Sequence, residues 1–182
     1  MPSLTELNKL VLNAFLNKNQ KKMRKVNDIV LDEATIEFSP ELYSLAVVSY
    51  ALSKILSKPR YYQSQYREGF KRIEQVLRHM LRVSRDRKKY RNALDNLEES
   101  ILNLESADRR YVKSLMDKGK LKMAAILYAQ GVSLGLASEV TNIPQQEIMD
   151  YAGKTMMFDR MKEAVPLYMR KKMAKRMLEG EK

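Results

Sequence analysis

The chain has 182 residues but no cysteine, no tryptophan and a single histidine, His79. Without cysteine there are no disulfides, no thiolate metal ligands and no thiol nucleophiles. One imidazole cannot build a typical zinc site. The sequence also has no glycine-rich phosphate loop and no Ser-His-Asp set. We therefore predict a protein that is not an enzyme and needs no cofactor.

Long apolar runs are missing as well. No stretch of 18 apolar residues is present, so we predict no membrane-spanning helix. The first residues lack the basic start and unbroken apolar stretch of a secretory signal. An anionic membrane surface is a poor match, since no helix joins a basic stripe to a lipid-ready aromatic face. We expect a cytoplasmic protein with no membrane partner.

Glycine and proline are scarce, at six and five residues, and alternating β-branched runs are almost missing. Leu, Ala, Lys, Arg and Glu are abundant, and there are 12 methionines, all of which favour helices. The sequence therefore predicts an all-α fold, a multi-helix bundle of about seven to nine helices.

Capping residues indicate where helices begin in the first third of the chain. Ser3 and Glu6 form a capping-box pattern before a helix over about 4–16. A second helix is predicted over about 18–31, followed by a connection over 32–38. The triplet Ser39-Pro40-Glu41 predicts the start of a third helix that ends before Pro59. That helix is apolar around much of its circumference, so it should be central.

A helical stripe then runs from Tyr61 to Ser84, and a second one runs from Tyr90 to Leu104. The register breaks between them, at Ser84–Tyr90. We predict either an antiparallel hairpin of two helices or one long kinked helix.

The net charge of +12 is unevenly distributed. Residues 54–91 hold 13 basic and three acidic side chains, a net charge of +10, and residues 160–182 add +5. Within 54–91, basic residues recur on one side of a helix, with three tyrosines beside them. The basic residues are Arg67, Lys71, Arg78, Arg82, Arg85 and Lys89, with Lys88 adjacent, and the tyrosines are Tyr61, Tyr62 and Tyr90.

Arginines grip phosphates, and aromatic rings stack on unpaired bases. This basic stripe predicts binding of nucleic acid, either DNA or RNA, or of another polyanion. Two alternatives stay open. The stripe could be an ordinary solvated face, or it could pair with acids of the neighbouring helix at Asp95, Glu98, Glu99, Glu105 and Asp108.

A second pattern lies between Gly119 and Gly153. We expect Gly119 to stop a helix, Gly131 to end the next one, Ser133 to cap a short helix and Pro144 to begin a third. Gly153 should end that third helix. The pattern predicts a unit of three short helices at the C-terminal end of the bundle.

This segment resembles the helix-turn-helix-like family of short prokaryotic antitoxin proteins. The residues that carry the resemblance are Leu127-Tyr128, Gly131, Ser133-Leu134-Gly135, Ala137, Glu139, Ile143, Glu147 and Tyr151. The resemblance implies DNA contact or protein docking. On the last helix, Gln145 and Gln146 could read adenine edges, whereas Glu147 and Asp150 would repel phosphates.

The predicted organisation is a helical bundle with a basic hairpin over 1–118 and a helix-turn-helix-like unit over 119–182, packed as one domain. The second part includes a basic helix over about 157–177, kinked or split at Pro166. We predict a non-enzymatic, nucleic-acid-binding regulatory protein. The alternative is a protein–protein interaction module, or an antitoxin-like adaptor, in which the three-helix unit docks a protein partner. The sequence also leaves open whether the protein forms a homodimer.

Overall fold

The structure, a computed structural model, describes residues 2–36, 39–106 and 115–160. All regular secondary structure in those ranges is helical, which confirms the predicted all-α bundle. The α-helices are α1 (Leu4–Leu16), α2 (Gln20–Ile36), α3 (Pro40–Leu56), α4 (Arg67–Val83), α5 (Arg87–Ser106), α6 (Leu115–Ala129), α7 (Leu134–Thr141), α8 (Gln145–Lys154) and α9 (Met157–Arg160). Two 3-10 turns, Pro59–Tyr62 and Ser64–Tyr66, precede α4.

The predicted helix starts at α1 and α3 are confirmed. Ser3 and Glu6 form a complete capping box, with the Ser3 amide donating to the Glu6 carboxylate at 2.7 Å. The Ser39 hydroxyl accepts from the Leu42 amide at 3.1 Å, and Pro40 lies in the first turn. Both caps satisfy backbone N–H groups that have no partner inside the helix.

Helix α2 is longer than predicted. It continues to Ile36, so the expected connection from Asp32 is wrong over 32–36; residues 37 and 38 lie outside the described residues. Ala34 and Thr35 are buried and extend the apolar face of the helix. The Thr35 hydroxyl, with its single hydrogen, lies 2.8 Å from the Leu31 carbonyl oxygen and 2.7 Å from the side-chain oxygen of Gln130, which follows α6. The extra turn is therefore held by tertiary contacts that the local sequence does not reveal.

Helix α3 is central, as predicted. It packs against α1, α2, α5 and α6, and it is buried on most of its surface. Asn27 of α2 reaches into this contact: its buried side-chain amide donates to the Ala46 carbonyl at 2.7 Å and to the Ser49 hydroxyl at 2.9 Å.

Helices α4 and α5 form the antiparallel hairpin that was one of the two predicted arrangements. They pack along each other, and the chain between them turns over Ser84–Asp86. The predicted start of this helical segment at Tyr61 is wrong, because two 3-10 turns occupy the chain until Tyr66. Tyr61 and Tyr66 are buried there and contact each other edge to face.

Three consecutive helices follow, and α7 and α8 each pack against α6 and against each other. Gly131 has a φ of 106° and ends α6, and Ser133 caps α7 by accepting from the Leu136 amide. Both predictions are confirmed. Gly119 and Gly153, however, lie inside α6 and α8 and end neither helix. Gly119 is buried, and a Cβ at that position would lie 3.2 Å from a ring carbon of Tyr50.

The predicted division between residues 118 and 119 falls inside α6, which packs against α2, α3 and α5. Helix α9 begins at Met157, where the last helix was predicted to start. Its continuation to residue 177, the break at Pro166 and the basic C-terminal segment lie outside the described residues. Across the described ranges, no helix has the length and apolar character needed to cross a bilayer.

Candidate nucleic-acid interface

The basic stripe lies on the outer face of α4. The opposite face carries Ile73, Leu77 and Met80, which are buried, and the helix packs against α1 and α5. Four basic residues of the stripe, Arg67, Lys71, Arg78 and Arg82, are all exposed. At 3.6 residues per turn they fall within an arc of roughly 60°, and the row is about 22 Å long. The sequence therefore identified one continuous cationic face on this helix.

The stripe does not continue along a single helix to Lys89, because α4 ends at Val83. The Ser84 hydroxyl is 2.7 Å from the Thr5 hydroxyl of α1, which fixes the turn. Asp86 then begins α5: its carboxylate accepts from the Lys89 amide at 3.0 Å, and its carbonyl accepts from the Tyr90 amide at 2.8 Å. Arg85 consequently lies in the turn, and Lys88 and Lys89 lie in the first turn of α5; all three are exposed.

Only some cations of the stripe have an acidic partner, and those partners are local. Lys71 pairs with Glu68 and Arg78 with Glu74 at 2.9 Å, and Lys89 pairs with Asp86 at 3.2 Å. These pairs are solvent-exposed and contribute little to stability, so an incoming phosphate can replace them. In the described part of the chain, no ion pair involves Arg67, Arg82, Arg85 or Lys88, nor Arg72 nearby.

Two further arginines are held by a buried carboxylate. Glu41 of α3 has a side chain that is only 5% exposed, and it accepts from Arg87 at 2.9 Å and from Arg91 at 2.7 Å. Burial raises the pKa of this carboxyl, but the hydrogen bonds from Arg87, the backbone and Arg91 outweigh it and lower the pKa to about 2. Arg87 and Arg91 thus have an internal partner.

The acids of α5 do not neutralise the stripe. Glu98 pairs with Lys120 of α6, and Glu105 accepts from the Leu115 amide at 3.0 Å. Asp95 and Glu99 form no ion pair within the described ranges. Asp108, the fifth acid considered, lies outside the described residues. Pairing across the hairpin is therefore not seen for the four acids that the structure describes.

The tyrosines are placed differently from what the stacking hypothesis requires. Tyr61 and Tyr90 are buried, at 1% and 0% exposure, and the Tyr90 hydroxyl donates to Asn8 at 3.0 Å. Tyr62 is 41% exposed, but its ring contacts Phe70, and the Lys18 ammonium lies 5.1 Å from its centroid. Tyr61 and Tyr90 therefore serve the core, and the prediction that they stack on bases is wrong.

Gln145 and Gln146 lie at the start of α8 and are exposed. The Gln146 amide donates to the Asp150 carboxylate at 2.8 Å, so the glutamine is engaged by one of the acids that the sequence flagged as unfavourable. Helix α8 packs against α6, α7 and α9, whereas α4 packs against α1 and α5. The structure thus does not bring the two glutamines together with the basic stripe.

One polar cluster was missed by the sequence analysis. A cleft of about 310 Å³ between α2 and α6 is lined by Asp28, Asp32, Lys122 and Gln130, among others. Burial and the neighbouring Asp32 raise the pKa of Asp28, while burial and Lys54 lower the pKa of Lys122. The four-residue spacing of the aspartates was a signal, but nothing local indicates that α2 faces α6.

The polar groups of this cleft are mostly held by other groups of the protein. The Gln130 amide donates to Asp32 at 3.2 Å, and the Lys122 ammonium lies 4.8 Å from the Tyr50 ring centroid. His79 is exposed on α4, as expected. The described residues contain no group of three or more His, Asp or Glu side chains arranged to hold a metal ion.

Comparison of the chain with protein-family models, with curated proteins and with solved structures returned no match.

Proposed function

We propose that the protein is a non-enzymatic, nucleic-acid-binding regulator that uses the exposed basic face of the α4–α5 hairpin. The observation that supports this most directly is the state of its cations. Arg67, Arg82, Arg85 and Lys88 are exposed and have no ion pair in the described part of the chain, and the paired ones have only exposed local partners. Such a surface attracts a polyanion in a salt-dependent manner.

A fluorescence-anisotropy titration against a mixed set of DNA and RNA in 50 mM salt tests the proposal. The variant pair Arg67→Ala with Arg82→Ala should weaken binding about tenfold or more, because two phosphate contacts are lost. The matched control is Lys21→Ala with Lys25→Ala on α2, which removes the same charge from exposed residues of a helix that packs against α1, α3 and α6. Absence of binding at about 100 µM protein, the weak end of non-specific affinity, would refute the proposal.

A second candidate function, protein docking by the helices that follow Gly131, is favoured by a different observation. Four large apolar side chains are exposed on α7, in the middle of α8, in the turn after α8 and on α9: Leu136 at 37%, Met149 at 43%, Met156 at 64% and Phe158 at 51%. The acids Glu139, Glu147 and Asp150 are exposed beside them in the sequence. An apolar patch with acidic neighbours is suited to a protein partner and unsuited to phosphates.

This second function corresponds to the antitoxin-like or adaptor role that the resemblance implies. Affinity purification from native lysate should recover a stoichiometric partner with the intact protein, and Met149→Lys with Phe158→Lys should release it. Repeated recovery of the chain alone would count against docking. Neither result bears on the basic face, so the two functions can be tested separately.

A further inference from the structure

The basic face is a straight row rather than a groove with a floor. Arg67, Lys71, Arg78 and Arg82 project from one helix whose inner side is fixed by Ile73, Leu77 and Met80. The turn adds Arg85, Lys88 and Lys89 at one end of the row. Seven cations are therefore presented by a rigid element over about 22 Å of helix and the adjoining turn.

Within residues 54–91, all of which the structure describes, the only exposed rings on which a base could stack are those of Tyr62 and His79. Tyr61, Tyr66 and Tyr90 are buried. Tyr62 has its hydroxyl bonded to the Leu56 carbonyl at 3.0 Å, and its ring contacts Phe70 and lies near Lys18. Proteins that hold single strands derive about 1–3 kcal/mol per base from aromatic stacking, and only these two exposed rings could supply that contribution here.

The remaining attraction is electrostatic, and it favours the form of nucleic acid that has the higher density of phosphates along its axis. A duplex carries one phosphate per about 1.7 Å of its axis, against one per about 3.4 Å for each strand. A length of 22 Å thus spans about 13 phosphates of a duplex, with both strands counted, and about half as many of one strand at the same spacing.

We infer that the occupant of this face is double-stranded nucleic acid, bound through its phosphate backbone without base readout. The inference rests on the proposed nucleic-acid-binding function and specifies the form of nucleic acid. Contact with all seven cations would give a slope of log K against log salt near −6 for a B-form duplex. The single strand should bind at least about tenfold more weakly.

The test uses the full chain and three labelled probes of equal length: a 16-base-pair DNA duplex, one of its strands, and a second duplex of unrelated sequence. Affinities are measured between 50 and 200 mM KCl. The expected result is equal affinity for both duplexes and weaker binding of the strand. For the duplex, the slope of log K against log salt should become less steep by about 2 with Arg67→Ala and Arg82→Ala.

Tyr62→Ala serves as a second variant, with circular dichroism to verify folding, and should leave both duplex and strand affinities unchanged. Single-strand affinity equal to or above duplex affinity, or its loss on Tyr62→Ala, would overturn the inference while leaving nucleic-acid binding intact. A strong preference between the two duplexes would overturn the absence of base readout. Failure of every probe to bind, together with failure of the mixed DNA and RNA set at about 100 µM protein, would instead refute the proposed function.

Discussion

At the residue scale, Glu41 combines deep burial with full ionisation. Its carboxylate bonds to two arginines that are themselves 71% and 56% exposed. The arginines can therefore regain water if the carboxylate is removed, but the carboxylate depends on them. This arrangement holds the start of α5 against the start of α3, and it makes the pair sensitive to acid.

Glu41 should contribute to the pH dependence of stability. Its folded-state pKa, about 2, lies below the unfolded value near 4.5, so the contribution is present above about pH 5 and is lost as pH falls toward 2. Because both arginines are largely exposed, we expect about 1–2 kcal/mol. Urea unfolding at pH 7, 4 and 3 should show that Glu41→Gln lowers the free energy of unfolding at pH 7. The variant should also lose less of that free energy than the unmodified chain as the pH falls from 7 to 3.

The matched control is Glu99→Gln, which changes an exposed glutamate of α5 that has no ion pair in the described ranges. It should alter the free energy of unfolding at pH 7 by less than about 0.5 kcal/mol. If Glu41→Gln unfolds with the same pH profile as the unmodified chain, the carboxylate does not have the role assigned to it.

At the scale of the element, two glycines that were both predicted to end a helix have different roles. Gly131 has a positive φ that only glycine adopts without strain, whereas Gly153 lies in ordinary helical backbone with open space around it. Gly131→Ala should therefore lower the free energy of unfolding by about 1–2 kcal/mol. Gly153→Ala should raise it by up to about 1 kcal/mol.

Thermal and urea unfolding of both variants give the comparison. Gly153→Ala also controls for the mere addition of a methyl group in this part of the chain. A Gly131→Ala variant as stable as the unmodified protein would mean that the turn after α6 can adopt another backbone conformation.

Helix starts were predictable from the sequence, whereas some predicted helix ends were not. Helix starts such as Ser3 and Ser39 depend on the next three residues, so they were predicted correctly. Gly119 was misassigned because the reason for its small size lies in α3, where Tyr50 and Val47 would crowd a Cβ at this position, and not in its neighbours along the chain. The end of α2 was predicted wrongly for the same reason, since Thr35 bonds to Gln130, which directly follows α6.

At the scale of the whole molecule, the charge of the candidate site was predictable, but the pairing of its cations and the burial of its tyrosines were not. The cluster of cations over 54–91 is visible in the composition. Which of them are paired depends on Glu41, 46 residues from Arg87 in the chain, and the burial of Tyr61 and Tyr90 depends on how the helices pack. The clustering of cations was therefore predictable, and the burial of Tyr61 and Tyr90 was not.

Binding to the folded state should stabilise the whole chain. With a DNA duplex at 100 times its dissociation constant, linkage gives about 2.7 kcal/mol, or a rise in Tm of about 5–10 °C for a protein of this size. Scanning calorimetry at 50 mM salt should show this rise. The variant Arg67→Ala with Arg82→Ala, which should bind about tenfold or more weakly, should lose about half of this rise or more at the same duplex concentration, and Lys21→Ala with Lys25→Ala should keep it.

The amide of Asn27 has a consequence for how the bundle reaches one arrangement. Leucine, valine and methionine side chains between α2 and α3 would accept several rotations of one helix about its long axis at similar cost. A buried amide favours the rotation that returns its N–H groups to oxygen, here the Ala46 carbonyl and the Ser49 hydroxyl. One asparagine thus disfavours other rotations of α2 about its long axis. A contact made only of apolar side chains could not select one rotation in this way.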